Sequence, residues 1–210
     1  MNWEAEGTVK ENCVVFFKVN EDWGGLSNMS NDFPLRVNGL RIGSSEALYQ
    51  ACRFPHRPDW QQEILDAPNA MQAKMKAKKE GRRKEHSRPD WEEVQVEIIR
   101  WCLRVKLAQH FTKFGGLLHS SAPRPIVERS RRDRFWGAVL EADGVLRGQN
   151  RLGRLLMELR EELQTCKRTG EESRLLRVEP PRVPEFLLLG KPITVIDITG
   201  QQKPAARNDH

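Results

Sequence analysis

The sequence predicts an α+β fold, mainly helical, in one compact domain with small β elements and a C-terminal β extension. Three observations carry this. Residues 90–105 and 150–163 place apolar side chains at helical spacing. Short β-branched runs stand near both ends of the chain. A length of 210 residues suffices for a single core.

Taken in order, Cys13 to Val19 is β-branched and aromatic and predicts a buried strand. Glu21 to Asn28 holds Gly24-Gly25 and reads as a loop. Phe33 to Ile42 alternates around Asn38-Gly39, the strongest short hairpin signal. Ser44 and Ser45 offer an N-cap for a helix over Ala47 to Cys52, which Pro55 and Pro58 end. Helices follow at 60–66 and 69–79, then a polar, basic loop at 80–88. Asp90 is placed to cap the clearest helix, whose buried stripe is Val94, Ile98, Trp101, Cys102 and Val105. Residues 115–125 are a Gly/Pro-rich connection, and Asn150 to Leu163 is an amphipathic helix with Leu152, Leu155, Leu156 and Leu159 inward.

The main domain is thus expected over 13–163. A polar linker containing Pro180, Pro181 and Pro184 follows over 164–185. Two strands around Gly190-Lys191-Pro192 make a β extension over 186–198, packed on the domain, and 199–210 is a disordered tail.

Composition narrows the function classes. Lys and Arg number 35 against 29 Asp and Glu, a net charge of +6, so a polyanionic partner is compatible. No apolar run approaches the roughly 18 residues of a spanning helix, so no membrane is expected. Met1 to Lys10 carries two glutamates and no apolar stretch, so no secretory signal is expected. The four cysteines form no CxxC pair and the five histidines no HExxH, which predicts neither disulfide nor metal and a cytoplasmic setting.

Several residues carry chemistry, each with a structural alternative. Lys74 to Arg88 and Arg129 to Arg134 are basic clusters that either contact phosphates or form solvated faces. Glu46 and Asp133 suit general acid–base work, or a helix-terminal charge and a salt bridge. Lys106, beside an apolar stripe, is either a snorkelling lysine or a desolvated amine nucleophile. Gly148 to Gly153 could hold a phosphate at a helix N-terminus, or Asn150 is an N-cap and Gly153 a close-packing site.

The ordered set of segments then adds a resemblance. It comprises Gly24-Gly25-Leu26-Ser27-Asn28, Ser44-Ser45-Glu46-Ala47-Leu48-Tyr49-Gln50-Ala51 and Asp90-Trp91-Glu92. Leu103 to Gln109, Ile126 to Ser130, Asp133 with Trp136-Gly137, and Gly148 to Met157 complete it. Over residues 13–163 this resembles the NADAR, or YbiA-like, family. The resemblance implies a mostly helical fold and hydrolysis of N-glycosidic bonds, with no cofactor. One branch acts on phosphoribosylamino-pyrimidine intermediates of riboflavin synthesis. The other removes ADP-ribose from guanine in DNA, as antitoxin to a DarT-type DNA ADP-ribosyltransferase. Gly-Gly-Leu-Ser-Asn-Met and Ala-Leu-Tyr-Gln-Ala-Cys-Arg-Phe-Pro look like the antitoxin branch. ADP-ribosylated DNA and such a toxin are therefore the implied partners.

The resemblance also implies roles. Glu46 is the first choice for the carboxylate beside the ribose, Asp133 the second, and Lys106 the candidate for covalent attack or anion stabilisation. Gly25, Ser27, Asn28, Tyr49, Arg53, Trp91, Trp136, Gly137, Asn150 and Gly153 are implied in substrate binding. Lys76, Lys78, Arg82, Arg83, Arg131 and Arg132 would hold the DNA backbone. Arg53 stands where many relatives have lysine, and a guanidinium cannot be a neutral nucleophile. The rival readings are a small phosphoribosylated pyrimidine as substrate, or a module that binds ADP-ribosylated DNA without catalysis.

Overall fold

Short strands from distant parts of the chain assemble one sheet, and helices fill the intervals. The structure is a computed structural model that describes residues 8–79 and 86–200. Along the chain come β1 (Thr8–Val9), β2 (Val14–Phe16), the hairpin β3 (Leu35–Val37) and β4 (Leu40–Ile42), and α1 (Ser45–Ala51). Next are α2 (Pro58–Leu65), α3 (Ala70–Ala77), α4 (Trp91–Gln109) and α5 (Phe111–Ser120). The sheet is completed by β5 (Ile126–Ser130), β6 (Ala138–Leu140) and β7 (Val145–Arg147), before α6 (Arg151–Thr169). The final strands are β8 (Arg177–Val178), β9 (Leu187–Leu188), β10 (Lys191–Pro192) and β11 (Ile196–Asp197).

The sheet order is β1-β7-β6-β5-β2. β5 is its hub, parallel to β2 in the register Val14↔Ile126 and parallel to β6 in the register Arg129↔Ala138. Parallel pairing needs a long crossover, and α1 to α5 supply it between β2 and β5. The core behind β5 holds Leu48, Phe54, Ile98, Leu103, Phe114, Leu156 and Leu163, all fully buried. The α+β class, the Asn38-Gly39 hairpin and both long helices are as the sequence predicts; Asn38 and Gly39 take the positive φ such a turn requires.

Four local expectations are corrected. Asp90 stands at the N-cap of α4 but does not cap it; its carboxylate takes a two-pronged hydrogen bond from Arg88 at 2.6 and 2.9 Å. Gly115 and Gly116 lie inside α5, not in a connection, because Gly115 lets α5 approach Leu107 and Leu163 closely. α6 does not stop at Leu163. It runs to Thr169 and ends where Gly170, at φ +71°, closes the last turn through its N–H to Cys166 O. Residues 164–169 are polar, apart from the buried Cys166, because this last stretch of the helix stands largely in water. Beyond it, Leu175, Leu176 and Val178 are buried, so the segment expected to be a linker is largely part of the fold.

The C-terminal extension forms two strand pairs, β9 with β10 and β8 with β11. Phe186 meets Trp101 edge-on at 5.0 Å, and Gln61 bonds both Leu187 O and Leu189 N. The tail expected from 199 lies, beyond Gly200, outside the described residues. No described helix is long and apolar enough to cross a membrane.

Candidate active site

A cavity of about 410 Å³ opens between the start of α1, the helix α3, the start of α4 and the end of β5. Its size falls in the range of small-molecule sites. Its floor is built at the first turn of α1. Ser44 caps that helix, its Oγ accepting the Ala47 N–H at 3.2 Å. The cap turns Glu46 inward, and the Glu46 N–H donates to Asn28 O at 3.0 Å, tying α1 to the loop before β3. Glu46 is 6% exposed and lines the cavity. Its Oε1 accepts from Gln50 Nε2 at 2.8 Å and lies 3.7 Å from Lys74 Nζ on α3.

A second carboxylate faces the same cavity from β5. Glu128 is partly buried, and burial pushes its pKa up to about 7. Lys74 acts against that rise; Glu46 and Asp133 add to it. Sequence reasoning missed this residue as a site because β5 was not read as a strand. The available signal was period two: Ile126 and Glu128 share a face.

Asn150 and Gly153 are corrected from ligands to supports. Asn150 is fully buried, at φ +48°, and its side chain does not cap α6. Its Oδ1 instead accepts the Glu128 N–H at 3.0 Å and its Nδ2 donates to Ile126 O at 2.9 Å. A Cβ at Gly153 would sit 2.2 Å from Ile126 O, so only glycine lets α6 lie on β5. Gly137 serves the same end; a Cβ there would meet Glu128 O at 2.5 Å.

The cavity wall is aromatic. Tyr49 lies 4.9 Å from Trp91 and 5.8 Å, edge-on, from Trp136. Arg53 stacks over Trp91 at 5.2 Å, its Nε donating to Ser87 Oγ at 2.7 Å. Asp133 lines the rim and is exposed; its Oδ1 accepts the N–H groups of Phe135 and Trp136, both at 2.9 Å. Those bonds make it the anchor of the turn that carries Trp136.

Lys106 is not in this cavity. It is 1% exposed, packed over Phe33 and Phe114, and its Nζ donates to Gly25 O at 2.7 Å and Ser27 O at 3.1 Å. The snorkelling reading does not fit a fully buried amine; the desolvated amine of the second reading is what the core holds, but its two carbonyl partners keep it outside the cavity. Burial lowers its pKa to about 7, with Asp32 opposing. Gly25 and Ser27 thereby support the loop, whose next residues, Asn28 and Met29, reach the cavity.

The basic residues divide. Lys74, Lys78 and Arg129 line the cavity, with Arg129 and Arg131 over the Phe17 ring at 5.1 and 5.9 Å at its edge. Arg131 and Arg132 are exposed beside it. Lys76 turns away, donating to Glu63 O at 3.0 Å. Arg82 and Arg83 lie outside the described residues. The site thus combines the carboxylates of Glu46 and Glu128, with Asp133 at the rim, Lys74 acting on both of the first two, an aromatic wall and a basic rim. That set suits cleavage of a bond whose two sides acquire opposite charge.

Comparison with known proteins adds the ancestry. Residues 15–164 match the NADAR domain. N-glycosidase YbiA of Escherichia coli (strain K12) is 34% identical over 156 residues, covering 74% of this chain and 91% of the relative. A riboflavin biosynthesis protein of Vibrio vulnificus is 32% identical over 164 residues, which span 77% of this chain but 41% of that longer protein. The NMR structure of the E. coli protein YbiA superimposes with a TM-score of 0.63 at 30% identity, covering 79% of this chain and 92% of that one.

Proposed function

The chain belongs to the NADAR domain family, and from that premise we propose that it is an N-glycosidase that removes ADP-ribose from guanine bases of DNA. The observation that carries the reading is the pair of carboxylates, Glu46 and Glu128, facing one cavity with Lys74 at hand. The bond to be cut joins the anomeric carbon of a ribose to a base nitrogen. Glu46, as carboxylate, stabilises the positive charge that grows on the ribose as that bond lengthens. Glu128, protonated near neutral pH, gives its proton to the departing base nitrogen, which takes the bonding electron pair. Water then adds to the anomeric carbon and returns a proton to Glu128. Asp133 positions Trp136, whose ring stacks on the base.

The basic rim favours a substrate with several phosphates. Lys78, Arg129, Arg131 and Arg132 place positive charge around the mouth, beside the Phe17 ring. On this reading the biological partner is a DarT-type ADP-ribosyltransferase whose modification the chain reverses in the cytoplasm. A second reading is favoured by the riboflavin biosynthesis relative: the substrate is a small phosphoribosylamino-pyrimidine, and the rim is only a solvated surface.

Incubating the protein with an ADP-ribosylguanine oligonucleotide and, in parallel, with the phosphoribosylamino-pyrimidine separates the readings. Release of ADP-ribose and unmodified DNA, abolished in Glu46→Gln, is the expected result. Turnover of the pyrimidine alone selects the second reading. Tight binding of the modified DNA with neither compound turned over contradicts both.

A further inference from the structure

The C-terminal extension lies outside residues 15–164, which match the NADAR domain, yet one residue ties it to the cavity wall. That residue is Arg88, in the segment before α4, and it is 5% exposed. Its main chain serves the site. The Arg88 N–H donates to Arg53 O at 3.0 Å, and its carbonyl oxygen accepts the Trp91 N–H at 3.2 Å. Arg53 and Trp91 both line the cavity. Its side chain serves the extension. Nη2 donates to Pro184 O at 2.7 Å, while Nε and Nη2 together hold the Asp90 carboxylate.

A buried guanidinium needs its partners, and losing one leaves a charge poorly compensated. The segment that offers Pro184 O is itself fixed on the domain. Phe186 packs edge-on against Trp101, Gln61 bonds Leu187 O and Leu189 N, and Glu185 pairs with His56 at 3.0 Å. On the site side, the neighbouring Ser87 Oγ accepts from Arg53 Nε at 2.7 Å, and the Arg53 guanidinium stacks over Trp91 at 5.2 Å. Residues 87, 88 and 91 thus seat one wall of the cavity, and the extension holds that seat through Arg88. The two carboxylates are supported elsewhere, Glu46 by Gln50 and Glu128 by Asn150. A loosened seat would therefore disturb the wall and leave the acids in place.

We infer that Arg88 is a positioning residue through which the C-terminal extension braces the arginine–tryptophan wall of the cavity. Binding against Arg53 and Trp91 then depends on a segment outside the matched domain. Supports of this kind hold binding groups in place by locking their backbone and rotamers from behind. The inference takes from the N-glycosidase reading only that this cavity is the active site, and the brace itself is measurable without substrate.

The test is native-state amide exchange of the full chain, followed by NMR. Arg88→Met cuts the ties to Pro184 and Asp90 together. Asp90→Asn weakens the carboxylate fork and keeps the bond to Pro184. Phe186→Ala loosens the extension without touching Arg88. The amides at positions 88 and 91 are expected to exchange about tenfold faster in Arg88→Met and Phe186→Ala, and within about twofold of wild type in Asp90→Asn. The Glu128 amide of β5 is the internal reference and should hold its rate. Turnover of an ADP-ribosylguanine oligonucleotide gives the second readout: KM rises about fivefold in Arg88→Met and Phe186→Ala while kcat stays within about twofold. Wild-type exchange at 88 and 91 in Phe186→Ala overturns the inference. So does an Asp90→Asn variant that matches Arg88→Met, or a reference amide that accelerates equally, the mark of a merely structural role. Should Phe186→Ala fail to fold, the comparison of Arg88→Met with Asp90→Asn decides. The expected exchange pattern without turnover of any N-glycoside upholds the brace while sinking the N-glycosidase reading. Turnover with wild-type exchange in the variants does the reverse.

Discussion

The side-chain amide of Asn150 holds the backbone of Glu128, accepting its N–H at 3.0 Å while donating to Ile126 O at 2.9 Å. One buried residue at the start of α6 thus fixes the strand that delivers the second carboxylate. The carboxylate pair depends on this clamp as much as on the acids themselves.

Asn150→Ala removes both bonds and leaves a non-glycine residue at φ +48° without the side chain that favours it. Two buried backbone groups lose their partners, so stability falls by roughly 2–4 kcal/mol. Urea denaturation reads this directly. A loss below about 0.5 kcal/mol would mean the clamp is ornamental.

Lys106→Met keeps the packing against Phe33 and Phe114 but strips Gly25 O and Ser27 O of their donor. The expected cost at pH 7 is on the order of 1–3 kcal/mol. The wild-type amine titrates near 7 when folded against an ordinary 10.5. The unfolded chain therefore holds the proton more tightly between those values, and this site's contribution to stability rises as pH climbs from 7 toward 10.5. The variant lacks that rise. Unchanged stability with abolished turnover in Lys106→Met would instead make the amine a chemical group.

Gly153→Ala forces a methyl against Ile126 O, 2.2 Å from the ideal Cβ. Backbone cannot yield as a flexible side chain does, so α6 must shift off β5, at a cost of about 1–3 kcal/mol or more. Gly116, exposed in α5 with open space around its Cβ, is the control. Gly116→Ala is expected to stabilise by about 0.5–1 kcal/mol. Thermal melts of the two variants should move in opposite directions; a shared direction contradicts this account of both glycines.

Much of the fold was legible because it is written in local periodicity. The α4 stripe from Val94 to Val105 and the leucines of α6 announce their helices, and Asn38-Gly39 announces its hairpin. Glu46 was legible for the same reason, since a capped helix start fixes where the next side chain points. What stayed hidden is non-local. β5 is a short strand whose partners lie over 100 residues upstream and at the next hairpin. Without that pairing Glu128 looks like one charge among arginines. Lys106 and Asn150 misled for a related reason: a polar residue in the core is satisfied by carbonyls and amides of distant loops, which no local pattern displays. Glu46 and Lys74, on different helices, meet only through packing of α1 against α3.

The most direct test of the two-carboxylate account is the pH dependence of turnover on ADP-ribosylguanine DNA, in wild type and in Glu128→Gln. Glu128 donates as the acid, and burial sets its pKa at about 7. The wild-type rate should therefore hold below that value and fall as pH rises through it. Glu128→Gln should lose on the order of 10²–10³ in rate and show no fall across that range. A variant that keeps the wild-type rate and the same descending limb would contradict the assignment of Glu128 as the proton donor.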